Sequence, residues 1–344
     1  MKNNPTFSFY VTSYFKKYLP GQKNLSNNTI HAYSDAFKLL LTYCEEERGI
    51  RSNNLKIEQI DNELITGYLD WLEEKRGCKP TTRNQRLIAL HSFCSYVQKQ
   101  SPENMLGLQS VIDISYKKTG KSVVPYLTEK QMELLLSQPA GNTWQSYRDK
   151  VMMSVLYDTG ARVQELCDLR IKNVRLESPA TIMLTGKGNK SRQVPIMSCT
   201  KDLLCSYLSH YKYNPGISKG DNPLFANQRG FQLSRWGVSH VINKYVQMAQ
   251  KEGLDVDFPI TPHVFRHSKA VHMVHAGINL IYIRDFLGHV DYSTTEIYAR
   301  IDTEMKRKAI EDACKDITPD QQFSDWNEND DLMLFSECQA KFSR

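Results

Sequence analysis

One stretch of this chain alternates apolar and polar side chains, while the segments on both sides of it repeat at helical spacing. ATIMLTGKGNKSRQVPIM, residues 180–197, alternates on either side of a glycine-rich turn. That pattern predicts two strands joined as a hairpin, with Lys187 at its tip. The expected fold class is mainly α with a small β-hairpin or sheet. An all-helical N-terminal domain precedes a mixed α/β domain.

Residues 6–100 read as helix after helix. FSFYVTSYFKKYL is amphipathic, and NNTIHAYSDAFKLLLTYCEEE follows it with Ser26 or Asn27 as N-cap. IDNELITGYLDWLEEK ends at Gly77, and Pro80 opens PTTRNQRLIALHSFCSYVQKQ in the first helical turn, where proline is tolerated. These four patterns set a helical domain over residues 1–104. Its polar faces include Asn28, Thr29, Thr82, Arg83 and Arg86. Residues 101–125 break the pattern, with 105–125 as the linker. SPENMLG contains a turn and SYKKTGKSVVP is basic, so this segment reads as a linker. A second domain spans 126–313. Thr128 caps its first helix, Gly160 stops the next, and Arg162 opens ARVQELCDLR. Residues 314–344 form an acidic tail.

The net charge of +6 hides an asymmetry. Glu311 to Arg344 holds nine acidic and three basic residues, a net of −6, so the other 310 residues carry +12. A basic body with an acidic tail points to a polyanionic partner. No apolar run approaches the roughly 18 residues that span a membrane. The N-terminus lacks the apolar core of a signal peptide, so a cytoplasmic location is expected. The eight cysteines form no Cys-x-x-Cys pair, and most sit in apolar periodic stretches. They read as buried free thiols rather than zinc ligands or disulfides.

TPHVFRHSKA and FLGHVDYSTTEIYAR carry the chemistry. Thr261 can cap a helix and Pro262 fits its first turn, which places His263 and Arg266 on one face where an anion is favoured. His263 and His267 stand at i, i+4, but no Glu follows His263 and Arg266 lies between them, which argues against zinc. Gly288 closes the helix NLIYIRDFLG, and His289 leaves that turn. Ser293 to Glu296 is a capping box, so Tyr298 sits early in a short helix. A hydroxyl nucleophile, two imidazoles and guanidiniums suit attack on a phosphodiester without a metal.

Thr159-Gly-Ala-Arg162-Val-Gln-Glu165-Leu resembles the first arginine motif of the tyrosine recombinase, or phage integrase, family. Gly186-Lys187-Gly-Asn-Lys190 resembles its hairpin lysine motif. His263-x-x-Arg266, Leu287-Gly288-His289 and Tyr298 complete the set in the family's order and spacing. The resemblance implies a site-specific DNA recombinase of the simple two-domain type. Tyr298 would attack a DNA phosphodiester to form a 3′-phosphotyrosyl bond and free a 5′-hydroxyl. Arg162 and Arg266 would clamp the non-bridging oxygens. His289 would hydrogen-bond the same phosphate, His263 would accept the tyrosine proton, and Lys187 would protonate the leaving oxygen. Lys190 competes with Lys187 for that role. Glu165 would orient the site, with a plain surface ion pair as the competing reading. Tyr292 is a competing nucleophile only on paper, and Tyr282 lies within the preceding helix pattern and reads as a packing residue. No cofactor is implied.

The polar helix faces make Asn28, Thr29, Thr82, Arg83 and Arg86 candidate phosphate and groove contacts, against the competing reading of a solvated helix face. Lys117, Lys118 and Lys121 would lie along a DNA backbone, or form a solvated tether. The implied partners are double-stranded DNA with short inverted-repeat sites and three further copies of the chain in a tetramer on two sites. The free protein would be monomeric, with accessory proteins unspecified. With helical pattern from residue 6, no separate arm-binding domain is expected. Phe335, Cys338 and Phe342 of the tail stand at helical spacing, and the resemblance implies docking on a neighbouring protomer, with a disordered end or a helix packed in cis as the competing readings. Integrase or transposase of a mobile element is the leading biological role, through a Holliday junction, and a Xer-like chromosome-dimer resolvase is second. A type IB topoisomerase and a non-catalytic DNA-binding accessory protein are remote alternatives.

Overall fold

A computed structural model describes residues 6–120, 124–141, 143–212 and 216–288, apart from the side chain of Lys187. The chain divides into two compact units, Met1–Ser122 and Val123–Arg344.

Unit 1 is all-helical. α1 (Phe7–Ser13) runs into a π-helical segment, Tyr14–Gln22, that contains Pro20. Proline brings no N–H and clashes with the carbonyl four residues back, so a locally widened helix suits it. α2 (Asn27–Arg48) is capped by the Ser26 side chain and stops at left-handed Gly49. α3 (Asn62–Glu74) is capped by Asp61, and α4 (Pro80–Gln98) has Pro80 in its first turn. Aromatic side chains make the centre of the core. Tyr14 is fully buried, with ring centroids 5.3 Å from Phe93 and 6.3 Å from Phe37. Its hydroxyl donates to Ser92 Oγ at 2.8 Å, so burying the ring strands no polar group.

The expected linker over 105–125 needs correction. Residues Met105–Ile112 form a fifth helix, α5, inside unit 1. Leu108 and Val111 point into the same core as Leu87, Phe93 and Leu64. Their spacing of three places both on one face, and that face is buried although the helix is too short for its periodicity to stand out. Among the described residues beyond this helix, 114–120 and 124–125 form neither helix nor strand.

Unit 2 packs one face of a three-stranded antiparallel sheet against helices and leaves the other face exposed. α6 (Glu129–Ser137) begins at a Thr128–Gln131 capping box. α7 (Trp144–Thr159) and α8 (Val163–Asp168) follow. The predicted hairpin is present as β2 (Thr181–Thr185) and β3 (Ser191–Pro195), and a two-residue strand, β1 (Val174–Arg175), pairs with β2 on its other edge. Ile182, Leu184 and Val194 are buried, while Met183 faces out, as the pleat requires. α9 (Ser198–Ser209), α10 (Arg235–Lys251), α11 (Pro262–His275) and α12 (Leu280–Leu287) complete the unit. α7 buries Val151, Met152, Val155 and Leu156 at its centre. Cys199 and Cys205 are exposed on α9, unlike buried Cys44, Cys94 and Cys167, so the expectation of buried thiols holds only in part.

Leu108→Ala tests the place of α5. Large-to-small changes in a core cost about 2–5 kcal/mol, whereas surface changes stay within about 0.5 kcal/mol. Chemical denaturation of the variant is expected to show the larger loss. A loss in the surface range would return this segment to a tether.

Candidate active site

Three consecutive carbonyls at the end of α12 each accept from a different arginine. Arg192 Nε donates to Phe286 O at 2.9 Å, Arg266 Nη2 to Leu287 O at 2.7 Å, and Arg162 Nη2 to Gly288 O at 3.4 Å. The last carbonyls of a helix have no partner within it and carry the negative end of the helix dipole. Charged donors therefore suit them. Arg266 Nη1 also donates to Gly160 O at 2.6 Å, where α7 ends. Arg266, only 3% exposed, thus ties the ends of two helices together.

Glu165 joins two of these arginines. It occupies the third position of α8 and accepts the Arg162 backbone N–H at 2.9 Å, a capping box in which Arg162 is the N-cap. Its carboxylate also accepts Arg162 Nη1 at 2.9 Å, Arg192 Nη1 at 3.0 Å and Arg192 Nη2 at 2.8 Å. Burial by itself would raise this carboxyl. The hydrogen bonds from Arg192 and from the Arg162 backbone, with the adjacent positive charge, outweigh burial and hold it down at about 2. Glu165 is an internal anion here, not a surface ion-pair partner.

Arg192 was not singled out from the sequence. It pairs across the sheet with Leu184, which places it on the inward face with Val194 two residues on. The signal that could have found it is phase: in Ser191-Arg192-Gln193-Val194, the arginine shares the parity of the buried valine.

The glycines of the three motifs lie where this network passes. A Cβ on Gly186 would sit 2.8 Å from Glu165 Oε1, and one on Gly288 would sit 2.9 Å from Arg192 Cδ. One on Gly160 would sit 2.9 Å from Leu287 Cδ2. Gly160 and Gly288 also have positive φ, +55° and +65°. Gly186 N–H donates to Lys190 O at 2.8 Å and closes the turn containing Lys187–Asn189. Lys190 is exposed beside it.

At the start of α11, Thr261 takes the N-cap position but its side chain makes no capping bond, contrary to expectation. His263 is exposed, with its ring partly screened. That desolvation, then Arg266 and Arg162, lowers its affinity for a proton below the ordinary imidazole value. His267 is pushed down to about 4 by burial, then by His263 and Arg266. The two rings stack at 6.2 Å. Among the described residues, no group of three or more His, Cys, Asp or Glu side chains is placed to hold a metal ion.

Arg162 and Arg266 therefore reach the end of α12, Glu165 and Gly186 lie beside Arg162, and His263 feels the charge of both arginines. His289 follows that end directly in the sequence but, like Tyr292 and Tyr298, lies outside the described residues. So do Lys121 and the tail. Tyr282 is 70% exposed on α12, so it does not pack as its place in the helix pattern suggests.

In unit 1, Asn28 is exposed, while Thr29, Thr82 and Arg86 are half-buried. The Thr29 and Ser26 hydroxyls lie 3.0 Å apart, and Arg86 Nη1 donates to Ala32 O at 3.2 Å. Arg83 requires correction as a groove contact. It is 5% exposed, its Nε lies 3.7 Å from Glu73 Oε2, and its Nη1 donates to Asn84 Oδ1 at 3.5 Å. Helix α3 supplies the counter-charge that turns this arginine inward. Lys117 pairs with the same Glu73, and Lys118 is exposed.

Residues 125–305 match the model of the phage integrase family, and residues 13–101 match that of the phage integrase N-terminal SAM-like domain. The chain belongs to the phage integrase family. As a tyrosine recombinase of this family it is a DNA-cutting and DNA-rejoining enzyme. It is 31% identical to the putative integrase/recombinase y4rC of Sinorhizobium fredii, over 90% of this chain and 92% of that one. It is 32% identical to tyrosine recombinase XerD of Halalkalibacterium halodurans, over 81% and 89% of the two chains. The fold is also that of the Tn1549 transposon integrase solved with circular intermediate DNA. There the TM-score is 0.69 at 18% identity, covering 90% of this recombinase and 100% of that chain. XerH recombinase bound to its difH substrate gives a TM-score of 0.66 at 24% identity, covering 87% and 83%.

Glu165→Gln keeps the shape of the carboxyl but removes its charge. Breaking a buried ion pair from one side costs about 3–5 kcal/mol. The folded carboxyl lies below its ordinary value of 4.5, so its stabilisation is full above that value and is lost as pH falls toward about 2. The stability gap between the wild type and Glu165→Gln is expected to shrink by roughly 3 kcal/mol across that window. A gap independent of pH between 5 and 2, read by urea denaturation, would contradict the arrangement.

Proposed function

We propose that the chain is a site-specific recombinase whose nucleophile is Tyr298. The convergence of Arg162 and Arg266 on the end of α12, directly before His289, carries this reading. Tyr298 Oη attacks the phosphorus and the P–O5′ bond breaks. The tyrosine proton passes to His263, and Lys187 returns a proton to the 5′-oxygen. The phosphotyrosyl bond conserves the energy of the broken linkage, so rejoining needs no ATP. Arg162 and Arg266 stabilise the charge that develops on the non-bridging oxygens, and His289 adds a hydrogen bond to them. Arg162 keeps 38% of its side chain exposed, which leaves it accessible to an incoming phosphate. Glu165 fixes its direction.

Double-stranded DNA with short inverted repeats is the proposed substrate, with four protomers acting on two sites through a Holliday junction. Asn28, Thr29, Thr82, Arg86, Lys118 and Lys190 are proposed DNA contacts. Lys117 joins them where DNA displaces it from Glu73. The free protein is proposed to be a cytoplasmic monomer, and among the described residues no helix is long and apolar enough to cross a membrane. Integration or transposition of a mobile element is the leading role, in line with the similarity to a putative integrase/recombinase over 90% of the chain. Chromosome-dimer resolution is the second reading, favoured by the 32% identity to XerD.

A nicked suicide substrate carrying DNA that flanks the gene tests both. An SDS-resistant adduct is expected with the wild type and not with Tyr298→Phe. An adduct formed only on a chromosomal dimer-resolution sequence would favour the second role. No adduct on DNA that the protein binds specifically would overturn the catalytic reading.

The pH profile follows from His263. With its proton affinity lowered by desolvation and two arginines, the neutral base persists below the ordinary imidazole value of 6.5. Single-turnover cleavage is expected to hold level as pH falls through 6.5 and to decline only below it. A midpoint at or above 6.5 that disappears in His263→Gln would contradict the described environment.

A further inference from the structure

We propose that Arg192 is a positioning residue for strand cleavage, locking the hairpin turn that carries Lys187 onto the end of α12. The inference rests on the recombinase reading above and extends it to a residue outside the six-residue set. Three observations point the same way. Arg192 stands at an inward position of β3, in phase with Val194, where an apolar side chain would satisfy the sheet. Its side chain is 13% exposed, and burying a guanidinium is unfavourable unless its donors find partners. All three nitrogens find them: Nε on Phe286 O at 2.9 Å, Nη1 and Nη2 on the two oxygens of Glu165 at 3.0 and 2.8 Å.

The geometry joins three motif segments. β3 is the strand that leaves the lysine turn, and Gly186 at the start of that turn packs against Glu165 Oε1. Glu165 holds Arg162, and Phe286 lies one turn or less before the Leu287 and Gly288 carbonyls that Arg266 and Arg162 hold. Arg192 therefore sets the distance between the acid on the hairpin and the arginines on the phosphate. A displacement of about 1 Å in such a group slows a reaction by about 100-fold.

The test separates positioning from folding. Wild type, Arg192→Ala, Arg192→Lys and Lys187→Ala are compared on the nicked suicide substrate and on the same DNA with sulfur at the 5′-bridging position. A thiolate, with a conjugate acid near pKa 8.5, departs without a proton donor. Lys187→Ala supplies the reference for lost leaving-group protonation. Arg192→Ala is expected to bind DNA with wild-type affinity and to cleave the oxygen substrate about 100-fold more slowly, with most of the loss recovered on sulfur. Arg192→Lys keeps the charge but not the fork, and is expected to show a smaller loss with the same recovery. It carries the test where the alanine variant does not fold. Equal slowing on both substrates, or loss of binding in step with melting temperature, overturns the proposal. Absence of a Tyr298-dependent adduct with the wild type on either substrate overturns the recombinase reading itself, and this proposal with it.

Discussion

A helix that ends inside a protein must find donors for its last carbonyls, and in this recombinase α12 finds them in three arginines. Arg192, Arg266 and Arg162 come from β3, α11 and the start of α8, so one helix end fixes the relative positions of three elements. Three guanidiniums in one place repel. Glu165, between Arg162 and Arg192, offsets part of that repulsion, and the carbonyl dipoles offset more. Among these four side chains two positive charges remain in excess. That excess is unfavourable in the free protein and favourable once a phosphate arrives, which is the electrostatic bias the proposed reaction needs.

The same frame explains the small residues around it. Gly160, Gly186 and Gly288 lie where a Cβ would meet Leu287, Glu165 and Arg192. Two of them also turn the chain with positive φ. The motifs that give the catalytic side chains thus contain, in the same few residues, the space those side chains' supports occupy. His272 extends the support to the back of α11: it lies 2.8 Å from the Tyr157 hydroxyl and 2.9 Å from Leu127 O. It belongs to the scaffold rather than to the reacting centre.

Much of this was legible because the signals are local. Thr128, Ser26, Gly160 and Gly288 announce the helix ends through their own chemistry, and the alternation over 180–197 announces the hairpin. Glu165 stands one turn from Arg162, so their pairing can be read from spacing alone. The parts missed depend on residues far apart in sequence. Arg83 looks like one more polar residue on α4 until Glu73 of α3 is placed opposite it. α5 is only eight residues long, and what makes it part of unit 1 is the core that receives Leu108 and Val111. β1 is two residues long and exists only as a partner of β2. Arg192 was hidden by its residue type, since an arginine on a strand is first read as solvent-facing.

The arginine frame is assembled before DNA binds. Guanidinium NMR of the DNA-free protein, with arginine labelled by nitrogen-15, tests it directly, the signals being assigned by Arg192→Lys and Arg266→Lys. Slow rotation about Nε–Cζ and slow exchange of the side-chain protons are expected for Arg192 and Arg266, with both effects weakened at Arg192 when Glu165 is changed to Gln. Free rotation and rapid exchange at both arginines in the absence of DNA would contradict it, because the frame would then be made by the substrate and not by the fold.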